Sequence, residues 1–475
     1  MATVVTHGAV QWTITEPVTQ GTFVNGEPYV VVPSGTITVE SYTPTPTSGR
    51  NGSMKNNMVN GTLRSNSETA QNGYDDRAKV GSVAVYSDAN NIAHNGTAFT
   101  PFTLTANDVL ITAESAASGS GESDNIDSYG ILVVLASAPL ANSFRPPWCG
   151  WDGTTFYNES DLNYLALPNL DPDQVAGEPL KSTYEAYIYQ KSWTPTVTEW
   201  WGTRFHPPYM AGAGNHGYGQ DIAQRTGAMG LLLCLDDTNS NKRNLLVGLV
   251  QYAIDNQGII DDGGSFSADG GIFCGRLTPH LVASAVLDNA DMRSAMGNND
   301  FQETQQTFYV TQQDVDDTQL VYPGKSYTVY QFTQEDLNKP EWGVRASLES
   351  HRIYISDGWD NDYRDIAGGV TLEPALVMHL LNARGFVDES NALFDYAQRH
   401  LYYRQSRYAD PQYYNGWDDG DSYGDGNTTN PAPFSSNEST AFATNMFLAF
   451  ENASPVGLGL KPPHKTSSKS AALIA

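Results

Sequence analysis

The segment Phe144-Arg145-Pro146-Pro147-Trp148-Cys149-Gly150-Trp151-Asp152 marks the point at which the hydrophobic period of the chain changes. Before it, apolar residues recur at every second position, the period of a half-buried strand; after it they recur at every third or fourth, the period of a helix. Upstream, Thr36-Ile37-Thr38-Val39-Glu40 alternates strictly, and residues 131–135 are apolar without a break, which suits a central strand. Similar short runs at residues 10–14, 28–33, 36–42, 81–87, 109–114 and 129–136 are separated by Gly, Asn, Pro and Ser clusters. They predict an antiparallel β-sandwich over residues 1–141. The junction is too rich in Trp, Tyr and Leu for a flexible tether, so residues 142–179 are expected to form an ordered connector packed across the domain boundary.

Downstream, residues 220–235, 241–256, 279–289, 371–384, 390–403 and 437–452 carry the helical period. Asn239 or Ser240 is placed to cap one start and Gly258 and Gly385 to end two other helices, while Glu373 and Glu389 lie at or near helix starts, where the dipole favours them. Residues 301–332, rich in Gln, Thr, Val and Tyr, read as strands or an extended excursion. Helices joined as hairpins predict an α/α toroid or partial toroid over residues 180–453, followed by a flexible tail, residues 454–475. The expected class is therefore multidomain α and β.

With 53 Asp and Glu against 26 Lys and Arg, the net charge is −27. That field repels phosphate backbones and anionic lipid, so neither nucleic acid nor a membrane is an expected partner. Only 17% of residues are charged and 40% are hydrophobic, a globular and not a disordered composition. No apolar run approaches the roughly 20 residues of a bilayer span, and residues 1–15 show no secretory signal. Cys149, Cys234 and Cys274 match neither a disulfide framework nor a zinc motif. The His-Glu-x-x-His, Gly-x-Ser-x-Gly, phosphate-loop and strand-linked dinucleotide signatures are absent, which removes the usual support for peptidases, α/β-hydrolases, ATPases and dehydrogenases.

Several segments carry a resemblance. Asn51-Gly52-Ser53-Met54, Gly73-Tyr74-Asp75-Asp76-Arg77, Phe144-Arg145-Pro146-Pro147, Tyr218-Gly219-Gln220-Asp221-Ile222, Leu249-Val250-Gln251-Tyr252-Ala253-Ile254-Asp255, Asp269-Gly270-Gly271 with Gly275-Arg276, and Ala392-Leu393-Phe394-Asp395-Tyr396 resemble an uncharacterised family of environmental bacterial and phage proteins. It implies a β domain before a helical one, without an activity. A second likeness bears on chemistry: Gly214-Asn215-His216-Gly217-Tyr218 is similar to the Asn-His-x-Tyr arrangement of α/α-toroid polysaccharide lyases acting on alginate and related uronic-acid polymers.

β-Elimination at a uronic acid needs a group that neutralises the C5 carboxylate, a base for the C5 proton and an acid for the leaving oxygen. Asn215, His216, Tyr218 and Arg225 supply those types at the mouth of a predicted helix and are the candidate catalytic residues. Asp221 and Arg225, at i and i+4, equally suit a structural salt bridge. The Gly-dense run Asp261-Asp262-Gly263-Gly264 through Asp269 and Arg276 to His280 reads as a cleft-lining loop or as a tight turn between helices. Cys274 there reads as an inert packed thiol. Trp342, Arg345, His351, Trp359, Asp360, Asp362, Tyr363, Arg364 and Asp365 have the mix of aromatic faces and charged forks that a sugar cleft or an interdomain seam uses. Candidate substrate contacts are thus Asp221, Asp269, Arg276, His280, Trp342, Arg345, Trp359, Tyr363 and Arg364.

No cofactor is required by this chemistry. Asp360-Asn361-Asp362 and Asp418-Asp419-Gly420-Asp421 through Asp425 offer oxygen ligands for a structural Ca²⁺, although neither completes an EF-hand. The expected partner is a polysaccharide, and the expected location is extracellular or on a virion. Two other readings stay open: a glycoside hydrolase using paired carboxylates such as Asp221, Asp269, Asp362 or Asp365, and a non-catalytic glycan-binding or structural virion protein. An acidic polymer further requires Arg225, Arg276, Arg345 and Arg364 to converge.

Overall fold

The strands of the first half are β1 (Thr3–His7), β2 (Val10–Ile14), β3 (Thr19–Thr22), β4 (Pro28–Val31), β5 (Thr36–Thr43) and β6 (Asn51–Asn57), with buried and more exposed side chains alternating along β2, β4 and the first half of β5. Two-residue ladders follow, β7 (Lys79–Val80) with β8 (Val83–Ala84) and β9 (His94–Asn95) with β10 (Ala98–Phe99). Then come β11 (Phe102–Thr105), β12 (Asp108–Ser115) and β13 (Ile126–Leu135). The computed structural model describes residues 2–44, 51–61, 79–80, 83–84, 91–95, 98–115, 126–188, 219–266, 268, 273–298, 300–318, 332–343, 368–387, 391–409 and 438–455.

One sheet has the order β1-β2-β5-β11 and the other β3-β4-β13-β12-β6. Pairing in both is antiparallel except that β13 runs parallel to β4, with Val133 opposite Tyr29. No hairpin joins these two, so nothing local imposes the antiparallel sense expected from the sequence.

Val10, Trp12 and Ile14 of β2, Ile37 and Val39 of β5, and Leu110, Leu132 and Val134 of the second sheet share one apolar cluster. The two sheets therefore bury one face each against the other. Trp12 Nε1 donates to Thr112 Oγ1 at 2.9 Å across this layer. Gly130 makes room for the indole: a Cβ there would lie 2.7 Å from the Trp12 ring. The alternate residues Val109, Ile111, Ile131, Val133 and Leu135 point the other way, into a second cluster shared with the helices. Coverage on both faces is why residues 131–135 are apolar without alternation.

The connector is part of that second cluster, with Phe144, Trp148 and Cys149 at most 1% exposed. Arg145 is buried at its centre. Its Nε donates to Glu27 at 2.5 Å, and Nη1 and Nη2 donate to the two oxygens of Asp255 at 2.8 and 2.5 Å. Glu27 belongs to the β3–β4 turn and Asp255 to a helix, so one guanidinium ties sheet, connector and helical half together.

The helices are α1 (Lys181–Ile188), α2 (Gly219–Cys234), α3 (Asn239–Asp261), α4 (Leu277–Val286), α5 (Ala290–Gly297), α6 (Gln302–Gln305), α7 (Gln312–Thr318), α8 (Leu372–Leu380), α9 (Arg384–Val387), α10 (Ala392–Ala409) and α11 (Glu438–Phe450). Strands β14 (Thr307–Tyr309) and β15 (Pro340–Trp342) pair beside them. Residues 301–318 are thus two short helices around a strand, not a continuous extended run.

Several helix ends differ from expectation. Thr238, not Asn239 or Ser240, caps α3, its side chain accepting from Asn241 N. Gly258 does not stop α3; a Cβ there would lie 2.2 Å from Cys149 O and 2.4 Å from Pro147 Cβ, so the glycine serves close packing of the connector. Gly385 lies inside α9, and α8 ends earlier, followed by Asn382 at φ 58°. Glu389 and residues 456–475 lie outside the described residues. Among the described residues no helix is long and apolar enough to cross a membrane.

Candidate functional site

The N-terminal ends of three helices meet. Ala223 in the first turns of α2, Cys274 just before α4 and Val370 just before α8 form a buried apolar cluster of their own. A Cβ on Gly275 would lie 2.5 Å from Ala223 N, so the turn leading into α4 rests on α2 at Ala223. Thr226 Oγ1 fixes it there by donating to Gly275 O at 3.0 Å.

Contacts further along give the helix directions. Glycine positions on α2 face Glu373 at Gly227, then Thr278 and Val377 at Gly230. Moving from Ala223 to Gly230 on α2 therefore moves forward from Val370 to Val377 on α8 and from Cys274 to Thr278 on α4. The three helices run side by side in one direction, and their starts lie together in a buried cluster. On the far side, His379 Nε2 lies 2.9 Å from Ala453 O, which brings the end of α11 to the end of α8.

Unsatisfied N–H groups concentrate at such an end, and their partial positive charge favours an anion. Neither Arg276, the N-cap of α4, nor Thr371, that of α8, makes a side-chain cap bond. A substitute comes from α6: Glu303 Oε1 accepts from Gly275 N at 2.7 Å. Burial pushes the Glu303 carboxyl up, against the lowering effect of these backbone donors and of Arg276. The neighbouring Gln302 accepts from Phe273 N at 2.8 Å and donates to Gln306 at 3.0 Å. Residues 273–276 thus stand on a polar floor supplied by α6.

The second carboxyl at this end is Glu373, in the first turn of α8 and only 2% exposed. Its side chain lies flat on α2, with Cβ, Cγ and Cδ within 3.4 Å of where a Gly227 Cβ would stand. Burial raises its pKa to about 8, against the lowering effect of its own backbone N–H. At neutral pH it is a neutral acid.

Of the expected site residues, Asn215, His216, Tyr218, Asp269, Arg345, Trp359, Tyr363 and Arg364 lie outside the described residues. In sequence they belong to the three segments that lead into α2, α4 and α8: residues 201–218, 267–272 and 344–367. Asp221 is in the first turn of α2. Arg225 is half-buried on the same helix. Arg276 is 1% exposed, its Nη1 donating to Cys274 O at 2.7 Å. His280 is fully buried edge-on to Phe301, ring centroids 4.7 Å apart, with its pKa pushed down to about 3 by burial. Trp342 is buried, donating from Nε1 to Gln306 at 3.2 Å and packing on Gly368. Arg276, His280 and Trp342 are therefore interior groups, unlike the sugar-contacting surfaces expected of them. What Trp342 does is bring together residues 343 and 368, the two ends of the segment between them.

Glu373 and the Gln302–Glu303 pair were not singled out as site residues. The signal for Glu373 was there: it is the one charged residue in the apolar run Leu372-Glu373-Pro374-Ala375-Leu376-Val377-Met378. Glu303 lies in a polar stretch where nothing local distinguishes it.

Cys274 is a packed thiol whose pKa burial raises well above the ordinary value. Among the described residues no three His, Cys, Asp or Glu side chains are grouped to hold a metal ion. Residues 360–362 and 418–425 lie outside them. A separate open cleft of about 600 Å³ between the starts of α1 and α3 is lined by Glu178, Lys181 and Asp237, where Lys181 pairs with both acids. Compared with known protein families, characterised proteins and solved structures, the chain matches none.

Proposed function

We propose that the chain is a carbohydrate-active enzyme that cleaves an extracellular acidic polysaccharide by β-elimination at a uronic acid. The observation that carries this reading is the common start of α2, α4 and α8: the segments holding Asn215 to Tyr218, Asp269, and Arg345 to Arg364 each lead into one of these helices. Side-by-side parallel helices with other helices between them in sequence are the arrangement of an α/α toroid's inner ring, and two sheets sharing one core are that of a β-sandwich. The lyase-like run Asn215-His216-Gly217-Tyr218 precedes α2 directly.

In this reading the helix N–H ends, with Asn215 and Arg225, hold the uronate carboxylate and lower the acidity barrier at C5. His216 takes the C5 proton, and Tyr218 returns one to the departing oxygen. Polymers of this kind lie outside cells, so the protein works there, secreted or carried on a virion.

The test is incubation with a panel of uronic-acid polymers while following the absorbance of an unsaturated uronate. Tyr218→Phe and His216→Ala are each expected to lower turnover by at least about 10²-fold with the circular dichroism of the fold unchanged. Reducing ends without the double bond would replace the lyase by a hydrolase. Binding with neither product would leave a glycan-binding protein.

A further inference from the structure

Residues 302–306 hold the ends of two segments that are remote from each other in the chain. Gln305 Oε1 accepts from Ala268 N at 2.8 Å, Gln302 Oε1 from Phe273 N at 2.8 Å and Glu303 Oε1 from Gly275 N at 2.7 Å. Just upstream, Phe266 N donates to Asp300 O at 2.9 Å, and the Phe266 ring stacks on Phe301. Both ends of residues 269–272 are therefore fixed to α6 and the turn before it. Residues 344–367 are held at the same place. Gly343 N donates to Gln306 O at 2.8 Å, Trp342 Nε1 donates to Gln306 Oε1 at 3.2 Å, and the Trp342 ring packs on Gly368.

The two supports are joined. Gln302 Nε2 donates at 3.0 Å to Gln306 Oε1, the oxygen that also receives the Trp342 indole. One line of hydrogen bonds thus runs from Phe273 N through the side chains of Gln302 and Gln306 to Trp342, and all four residues are buried. Burying a primary amide costs free energy unless its hydrogen bonds are made. An apolar side chain at position 302 would fill the same space without that cost. What a glutamine adds is a carbonyl for one segment and an amino group for the support of the other.

We propose that Gln302 is a positioning residue that couples residues 267–272 to residues 344–367, so that a contact made by one segment is felt at the foot of the other. It acts through Phe273 and through Gln306. These segments carry Asp269 and Arg345, Trp359, Tyr363 and Arg364. The coupling stands on the hydrogen bonds alone; that the ligand reaching these segments is a uronate rests on the function proposed above.

The experiment is hydrogen exchange on the full chain, read by mass spectrometry in peptides covering residues 266–276 and 341–344, with the labelled indole N–H of Trp342 followed by NMR. Gln302→Met should speed exchange roughly tenfold at 266–276 and about threefold at 341–344, and shift the indole resonance. Coupling is reciprocal, so Gln306→Met should also speed exchange at 266–276. Gln305→Met, which takes away the acceptor of Ala268, should act on 266–276 and leave 341–344 and the indole unchanged. An effect of Gln302→Met confined to 266–276, or of Gln306→Met confined to 341–344, overturns the inference. So does an even rise that reaches β2 and β12, which would make Gln302 an ordinary packing residue. If Gln302→Met does not fold, Gln306→Met decides by itself. Alginate oligosaccharide added to the wild type should slow exchange in both peptides, and slowing in one alone overturns the coupling. No slowing, in a protein whose variants show the reciprocal pattern, keeps the coupling and removes the uronate.

Discussion

Single residues in this protein carry charge states fixed by burial, and stability should follow them. His280 is neutral in the fold, its pKa depressed from 6.5 to about 3 by burial. A depressed histidine stabilises fully above the unfolded value and loses that contribution as pH falls from 6.5 toward 3. His280→Phe should therefore flatten the acid limb of a plot of Tm against pH; an unaltered limb would contradict the assignment. Glu373 has the opposite sign. Because its folded pKa is raised from 4.5 to about 8, the fold retains a proton that the unfolded chain releases, and stability declines as pH climbs through that window and then levels. Glu373→Gln should remove the decline, the difference from wild type growing by about 2–4 kcal/mol between pH 5 and pH 8. Arg145 holds two buried carboxylates at once. Arg145→Met leaves Glu27 and Asp255 buried without their cation and should cost about 3–5 kcal/mol in urea denaturation. Little loss would mean that water reaches the pair.

At the scale of elements, glycines decide how closely helices approach, and two of them make opposite forecasts. Helix propensity favours alanine over glycine by about 1 kcal/mol. At Gly385 nothing lies within 4 Å of an added Cβ, so Gly385→Ala should be neutral or stabilising by up to that amount. At Gly227 the added carbon would collide with Glu373, so Gly227→Ala should destabilise by about 1–3 kcal/mol in spite of propensity. Equal effects at the two sites in thermal unfolding would mean that α2 and α8 are not in the contact described. Element existence was legible in the sequence because period is local: residues 10–14 and 36–42 became β2 and β5, and the six helical runs became α2, α3, α4, α8, α10 and α11. Element ends were less so. Gly258 looks like a stop by type, yet it is the point where Pro147 and Cys149 press on the middle of α3's last turns.

For the whole molecule the second sheet is the middle layer, covered by the first sheet on one face and by connector and helices on the other. Residues 1–141 expressed alone would expose Val109, Ile111, Ile131, Val133 and Leu135 as one patch and lose the Arg145 partner of Glu27. They should aggregate or bind a hydrophobic dye; a soluble, cooperatively folding fragment would show that this face does not depend on the helical half. The candidate site divides in the same way. Residue types suited to a sugar acid, and the helix starts they precede, could be read from local sequence. That Arg276, His280 and Trp342 turn inward could not, because burial depends on Phe301, Gln306 and Gly368, which are remote in the chain. Sequence by itself determined the two hydrophobic periods and the place where one gives way to the other, since each is written within a few neighbouring residues. Only the tertiary structure decided that Glu27, Arg145 and Asp255 meet, that α2, α4 and α8 start together, and that Glu373 keeps its proton, because each depends on the distance between groups that the chain itself does not hold close.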